Sequence, residues 1–207
     1  MNQILFRKNY DQKKINKLKI QLLLSLLIIF SIGIYVFLFY KNLKTNEKLS
    51  DNLLNTFNIE KLYSSNTQEY NITKFNSSDN IFIIGIIEIP KIGITYPIFS
   101  EVNDDLLKIS PCRFYGSFPN EIGNLCIAAH NYNDNRFFGN LYKLDINDKI
   151  NIYDINNFCV TYSVYNKFEL PHSDTSCTSQ NTNNKKELTL VTCNNINKNK
   201  LIIKASE

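Results

Sequence analysis

The feature that most constrains this chain is an uncharged run of 19 residues, Leu22–Tyr40, with the sequence LLLSLLIIFSIGIYVFLFY. A helix needs about 20 apolar residues to cross the hydrocarbon core of a bilayer. A cleaved signal peptide has a shorter apolar region, of about 7–15 residues, followed by a cleavage site of small residues. No such site follows Tyr40. The run therefore predicts a transmembrane signal-anchor over residues 22–40, with a buried core helix as the alternative.

The distribution of charge predicts the orientation of this anchor. Residues 1–21 contain six basic residues against Asp11 alone, a net charge of +5 within a chain whose total is +4. Basic residues beside a span favour the cytoplasmic side. We therefore predict a cytoplasmic basic tail (1–21) and an extracellular part from residue 41, in a single-pass protein of the cell membrane. The part after the span is nearly neutral and has no basic stripe with interleaved aromatic residues, which argues against nucleic-acid binding.

Residues 41–80 predict an extracellular linker. Leu49, Leu53, Leu54 and Phe57 fall at helical spacing, which indicates a short amphipathic helix as the chain leaves the membrane. The stretch from residue 64 to residue 80 is rich in Ser, Asn and Thr, as linkers are. The folded domain is therefore predicted over residues 81–207.

Within this domain, short apolar runs alternate with turn signals. The runs predict strands at residues 81–90, 94–99, 125–130, 149–154, 158–170, 187–193 and 200–205. Short helices are predicted at 103–109 and 137–144. Residues 111–124 contain two prolines and two glycines and predict a loop. Many short strands with few long helices favour an all-β barrel or sandwich.

The chain has only two histidines, and one of them pairs with a cysteine in an informative way. His130 and Cys193 each end an apolar strand and are each followed by a polar residue. Strand ends at one rim of a barrel bring their side chains together. A thiolate is a nucleophile, and a nearby imidazole favours its formation and transfers protons. A structural histidine and a cysteine that acts as a small hydrophobe are the alternatives.

Three segments, in this order behind a membrane anchor, together resemble the sortase family. Residues 85–99, GIIEIPKIGITYPIF, resemble its opening strands, where the pattern G-x-x-x-I-P-K-I is usual. Residues 118–141, FPNEIGNLCIAAHNYNDNRFFGNL, resemble the block around its histidine, and TLVTC at 189–193 resembles its TLxTC signature. The resemblance covers about residues 81–207 and implies a closed eight-stranded β-barrel.

The resemblance also implies a reaction. Cys193 would form a thioacyl intermediate with an LPxTG-like sorting signal of a surface protein, with His130 as the acid/base partner. An amine of a peptidoglycan precursor or of a pilin would then resolve the intermediate. Neither a metal nor another cofactor is implied. The 63 residues between His130 and Cys193 resemble the compact sortase classes, such as class D.

One position departs from the family's pattern. Sortases carry an arginine on the strand after the cysteine, and residues 194–205 contain none. Lys200 falls where this arginine is expected, with Lys198 as the alternative. A lysine supplies the charge but lacks the planar fork of five donors. Arg136, close to the histidine block, is a further candidate for substrate binding.

Two neighbours of the catalytic pair and the remaining cysteines complete the predictions. Thr192 and Asn131 are candidates for substrate binding. Alternatively, Thr192 is an ordinary strand residue and Asn131 is an exposed turn residue. Cys126 and Cys159 are predicted to be core thiols. Cys112 and Cys177 lie in predicted loops and are candidates for a disulfide.

Two rival functions remain from the sequence. An L,D-transpeptidase also places histidine before cysteine, but its S-x-G-C-x-R pattern differs from TLVTCNN. A catalytically impaired, membrane-tethered barrel that binds surface proteins would explain the missing arginine.

Overall fold

The computed structural model describes residues 2–63, 81–194 and 199–207, with side chains described only from residue 17 to residue 55 in the first range. The chain divides into two compact units, Met1–Thr45 and Asn46–Glu207. The first unit consists of helix α1, which runs over Asn2–Tyr63 and so continues into the second. Its large apolar side chains from residue 22 to residue 40 are all exposed. By length and composition it can cross a membrane, with a mean hydropathy of 2.8 over its most apolar window.

The second unit is a closed β-barrel of eight strands, which confirms the predicted fold. The strands are β1 (Ile83–Ile89), β2 (Ile94–Phe99), β3 (Cys112–Tyr115), β4 (Gly123–Ala128), β5 (Lys149–Asp154), β6 (Cys159–Leu170), β7 (Lys186–Cys193) and β8 (Lys200–Ser206). Around the barrel they follow the order β1-β2-β3-β4-β7-β8-β6-β5. A short helix, α2 (Asp104–Leu107), joins β2 to β3, and 3-10 turns lie at Pro90–Ile92, Leu141–Lys143 and Ser176–Thr178.

Two local predictions were wrong. β3 lies inside the predicted loop at 111–124, because this strand has only four residues and pairs with β2 through the single pair Phe99–Cys112. The helix predicted over 137–144 is reduced to the 3-10 turn at Leu141–Lys143. Phe137 and Phe138, before this turn, are instead buried in the barrel core.

Side-chain alternation separates the barrel core from the outer face. Inward-pointing residues of β4 and β7 include Leu125, Ile127, Leu188 and Leu190, and all four are fully buried or nearly so. Burial of each such side chain stabilises the fold by about 1.5–3 kcal/mol. Because successive strand residues point to opposite faces, the residues between them point outward. Cys193 continues this outward phase at the end of β7.

Gly85 allows two strands of the barrel to approach closely. A Cβ atom at this position would lie 2.3 Å from the carbonyl oxygen of Tyr153 on β5. The pairing of β1 with β2 also shifts its register between Ile83 and Gly85. The first glycine of the sequence pattern at 85–92 is therefore required by backbone packing.

In the second unit, the end of helix α1 packs against the barrel. Leu49, Leu53 and Leu54 contact an apolar cluster on the outer side, which consists of Ile81, Ile83, Ile86, Phe99, Leu106, Ile109 and Cys112. The apolar spacing predicted a short helix here, whereas these residues belong to the long helix α1. Phe57 lies outside the residues whose side chains are described, and the predicted linker at 64–80 lies outside the described residues altogether.

Candidate active site

Strand register brings His130, Cys193 and Lys200 to one place. β4 and β7 are parallel neighbours, and their pairing runs up to Ala128 opposite Val191. Continuing this register by two residues sets His130 level with Cys193. On the other side of β7, the antiparallel strand β8 places Lys200 directly opposite Cys193. The three residues thus lie at or just beyond the ends of three neighbouring strands, with Cys193 on the middle one.

Two hydrogen bonds fasten the ends of β4 and β7 together. The buried hydroxyl of Thr192 donates to the carbonyl oxygen of Ala129 at 2.7 Å. The side-chain amide of Asn131 donates to the carbonyl oxygen of Cys193, also at 2.7 Å. These bonds position the segments that carry His130 and Cys193. Contact of Thr192 or Asn131 with a substrate stays a prediction.

The surroundings of His130 favour a neutral imidazole. Burial lowers the pKa of His130 below its usual value, and this effect outweighs that of Asp104, which raises the pKa. Lys108 lowers it further. The histidine ring also lies 5.1 Å from the ring of Tyr132, between centroids. At neutral pH the side chain is therefore ready to accept a proton.

Arg136 supports the loop that follows His130. Its Nε donates to a carboxylate oxygen of Asp134 at 2.8 Å. Its guanidinium carbon lies 4.4 Å from the ring centroid of Tyr132 and 5.9 Å from that of Phe137. The side chain is only 11% exposed. Because Tyr132 contacts His130, Arg136 supports the histidine indirectly, through the ring of Tyr132. Substrate binding by Arg136 stays a prediction.

Lys200 is tied to the loop between β6 and β7. It pairs with Cys193 on one side and with Leu170 of β6 on the other. Its ammonium group donates to the carbonyl oxygen of Asp174, in the loop at 171–185. This bond holds the ammonium group against the loop on the outer face of the barrel. Lys198, the alternative from the sequence, lies outside the described residues.

The five cysteines are all free and fall into two groups. Cys112, Cys126 and Cys177 are buried. Burial raises the pKa of the first two to about 12 and also raises that of Cys177. Cys193 and Cys159 are exposed, so the prediction of a core thiol at Cys159 was wrong. Cys159 is the first residue of β6 and lies next to a turn, where the barrel leaves its side chain exposed.

A buried asparagine anchors the same loop to the barrel. The side-chain amide of Asn124 donates to the carbonyl oxygens of Cys177 and Ser179, both at 3.0 Å. Its side-chain oxygen accepts from the hydroxyl of Thr189 at 2.6 Å. The side chain of Gln180 bonds the backbone N–H and carbonyl of Asn124, each at 3.0 Å. This anchor was not predicted from the sequence, where the Gly-Asn pair that begins β4 is its local signal.

Gly116 leaves room for this anchor. A Cβ atom there would lie 1.8 Å from the carbonyl oxygen of Asn124 and 2.7 Å from the amide nitrogen of Gln180. Its backbone φ of 85° also favours glycine. Residues far apart in sequence thus fix the loop from which Asp174 bonds to Lys200.

We expect Asn124→Ala to destabilise the barrel by about 3 kcal/mol, because two carbonyls and one hydroxyl lose a buried partner. The measurement is urea unfolding of the full chain in detergent micelles, followed by tyrosine fluorescence. Asn181→Ala is the matched control, since Asn181 is exposed, and we expect it to change stability by less than about 0.5 kcal/mol. Equal midpoints for the two variants would contradict the anchoring role.

Comparison with known proteins points to one family. A family model described as Sortase domain matches residues 87–207. A structure of the Clostridium perfringens Sortase D5 transpeptidase is similar at 30% identity, covering 77% of this chain and 95% of that one, with a TM-score of 0.58.

Two other solved structures show likeness of fold alone. Sortase A from Corynebacterium diphtheriae is 20% identical over 75% of this chain and 82% of its own, with a TM-score of 0.56. Listeria monocytogenes sortase A is 19% identical, and the match covers 60% of this chain and 86% of that one, with a TM-score of 0.55. No curated protein sequence matches this chain.

Proposed function

The chain belongs to the sortase family of cysteine transpeptidases, and we propose that it transfers surface proteins to an amine through a thioacyl intermediate on Cys193. The observation that carries this proposal is the register that sets Cys193 level with His130 and opposite Lys200. The substrate would be a protein with an LPxTG-like sorting signal. The acceptor would be an amine of a peptidoglycan precursor or of a pilin.

In the first step, the sulfur of Cys193 attacks the carbonyl carbon of the threonine in the sorting signal. The neutral imidazole of His130 accepts the thiol proton as the carbon–sulfur bond forms. The ammonium group of Lys200 stabilises the negative oxygen of the tetrahedral intermediate. His130 then donates the proton to the leaving amine as the peptide bond breaks.

In the second step, an acceptor amine attacks the thioester. Its nitrogen forms a bond to the carbonyl carbon and the carbon–sulfur bond breaks, with the electron pair leaving on the sulfur of Cys193. The proton that the nitrogen loses passes to His130 and then to the sulfur. The enzyme returns to its starting state without a metal or another cofactor.

The membrane anchor supports a location for this reaction. Residues 22–40 would cross the cell membrane once, with the basic tail 1–21 in the cytoplasm and the barrel outside. Surface proteins of a Gram-positive bacterium meet their cell-wall acceptors on that side. The similarity to the Sortase D5 transpeptidase and the compact spacing of His130 and Cys193 favour class D.

The test uses the full chain in detergent micelles and a panel of LPxTG-like peptides. Intact mass is expected to show an acyl adduct that is absent from Cys193→Ala and released by hydroxylamine. Cys159→Ala is the control, because Cys159 is the second exposed thiol among the described residues, and it should keep the adduct. Peptide binding without any adduct would support the alternative, a catalytically impaired barrel that binds surface proteins.

A further inference from the structure

A cavity opens beside the candidate active site, at the ends of the strands. Its volume is about 460 Å³, within the usual range for small-molecule sites. We call it the rim cavity. Its described lining consists of Asn131, Tyr132, Asn133, Asn135, Gly139, Tyr142, Lys167, Glu169, Asn194 and Leu201.

The rim cavity adjoins both residues of the proposed catalytic pair. Asn131 directly follows His130, and Asn194 directly follows Cys193. The amide of Asn131 also bonds to the carbonyl oxygen of Cys193 at 2.7 Å. The thiol itself continues the outward phase of β7, where the loop at 171–185 covers the barrel. A ligand in the rim cavity therefore lies on a different side of the cysteine from the loop at 171–185.

The cavity wall suits a ligand with one positive charge. Glu169 supplies a carboxylate, and its oxygens accept from the side-chain amides of Asn194 at 2.5 Å and Asn199 at 3.4 Å. The exposed ring of Tyr142 already attracts a cation, since the ammonium nitrogen of Lys143 lies 5.6 Å from its centroid.

A second charged group limits what the cavity accepts. The ammonium group of Lys167 donates to the carbonyl oxygens of Tyr142, at 2.5 Å, and Leu144, at 2.9 Å. This charge disfavours a second cation and attracts carbonyl or carboxylate oxygens. The asparagine amides of the lining both donate to and accept from peptide groups. The combination matches a short peptide that bears a primary amine.

We propose that the rim cavity binds the amine acceptor of the transfer reaction, with Glu169 drawing in its ammonium group. This inference rests on the proposed function and names the site of its second substrate. After the ammonium group loses one proton to solvent water, the amine nitrogen forms a bond to the thioester carbon. The bond to the sulfur of Cys193 breaks and takes its electron pair to sulfur, and the nitrogen's second proton passes to His130.

The test compares a charged acceptor with an uncharged one. The thioacyl adduct is formed on the full chain in detergent at pH 7 and is resolved with triglycine, whose α-amine is mainly protonated there, or with hydroxylamine, which is neutral. We expect Glu169→Gln to raise the KM for triglycine about fivefold, the size of one partly exposed ion pair. Adduct formation, hydrolysis and the reaction with hydroxylamine are expected to remain unchanged.

Two further variants make the result decisive. Tyr142→Ala, at an exposed position, is also expected to raise the KM for triglycine. Glu121→Gln is the matched control, because Glu121 lines a different cavity. An unchanged KM for triglycine in both cavity variants, or an equal loss with hydroxylamine, would overturn the proposal. If the wild-type chain forms no adduct at all, the proposed function fails and this inference fails with it.

Discussion

Replacement of Cys193 by alanine is expected to abolish both the acyl adduct and peptide transfer, with a loss of turnover of at least about 10⁴-fold. The reason is that the other exposed thiol, Cys159, lies at the start of β6, and β6 does not pair with β7. No described thiol can therefore take the place of Cys193 beside His130. Turnover is measured by chromatography of a fluorogenic LPxTG-like peptide with triglycine as the acceptor.

His130→Ala is expected to give a loss of similar size, because the thiol then lacks its base and the leaving amine lacks its acid. Two positions provide controls for the pair. Cys159→Ala and His172→Ala, both at exposed positions, are expected to keep turnover within about twofold of the wild type. Substantial turnover by Cys193→Ala or His130→Ala would refute the assignment of the catalytic pair.

The periodicity of the sequence predicted most of the barrel, because short apolar runs between turn signals are typical of buried strands. The uncharged run at 22–40 predicted a membrane-spanning helix, and it forms part of a helix whose large apolar side chains are exposed. Seven strands appeared as short apolar segments. The eighth strand, β3, was not predicted, because it has only four residues and pairs with β2 through a single residue pair. The prediction that eight strands form a closed barrel came from the family resemblance rather than from the apolar pattern.

The residues of the candidate site could be predicted from the sequence, but their arrangement in space could not. The sequence predicted that His130 and Cys193 each end a strand; Cys193 does end β7, whereas β4 ends at Ala128, two residues before His130. The parallel pairing of β4 with β7 is a contact across 63 residues. Local propensity carries no information on such pairing. The position of Lys200 is different, because β7 and β8 form a hairpin whose register follows from their proximity in sequence.

Side-chain networks were beyond sequence reasoning for the same physical reason. The bonds between Asn124 and Gln180 join residues 56 positions apart. Each residue alone is an ordinary polar side chain in a chain rich in asparagine. Only the folded barrel shows that one is buried under the loop and that Gly116 leaves space for the other.

Lys200→Ala is expected to lower kcat/KM by about 10²- to 10³-fold, the usual cost of removing one stabiliser of an oxyanion. The variant also frees the carbonyl of Asp174, to which the ammonium group now donates. Loss of the charge and loss of the loop contact therefore act together. Adduct formation under single-turnover conditions measures the first step alone, where we expect most of the loss.

Lys200→Arg tests whether the family's arginine can take the place of this lysine. A guanidinium keeps the positive charge and provides five donors, so it can bond the carbonyl of Asp174 and a substrate oxygen together. We expect this variant to keep or to exceed the wild-type rate of adduct formation. That result would mean that lysine replaces the family's arginine in function.

The control lies on the same strand and the same face. Lys204 also points outward from β8, four residues after Lys200, and its nearest carboxylate is Glu187 at 3.8 Å. Lys204→Ala removes an equal charge without touching the cysteine, so we expect less than a twofold change. If Lys200→Ala behaves like Lys204→Ala, then the cation opposite Cys193 plays no part in the reaction, and the stabiliser of the oxyanion must be sought among backbone N–H groups at the end of β7.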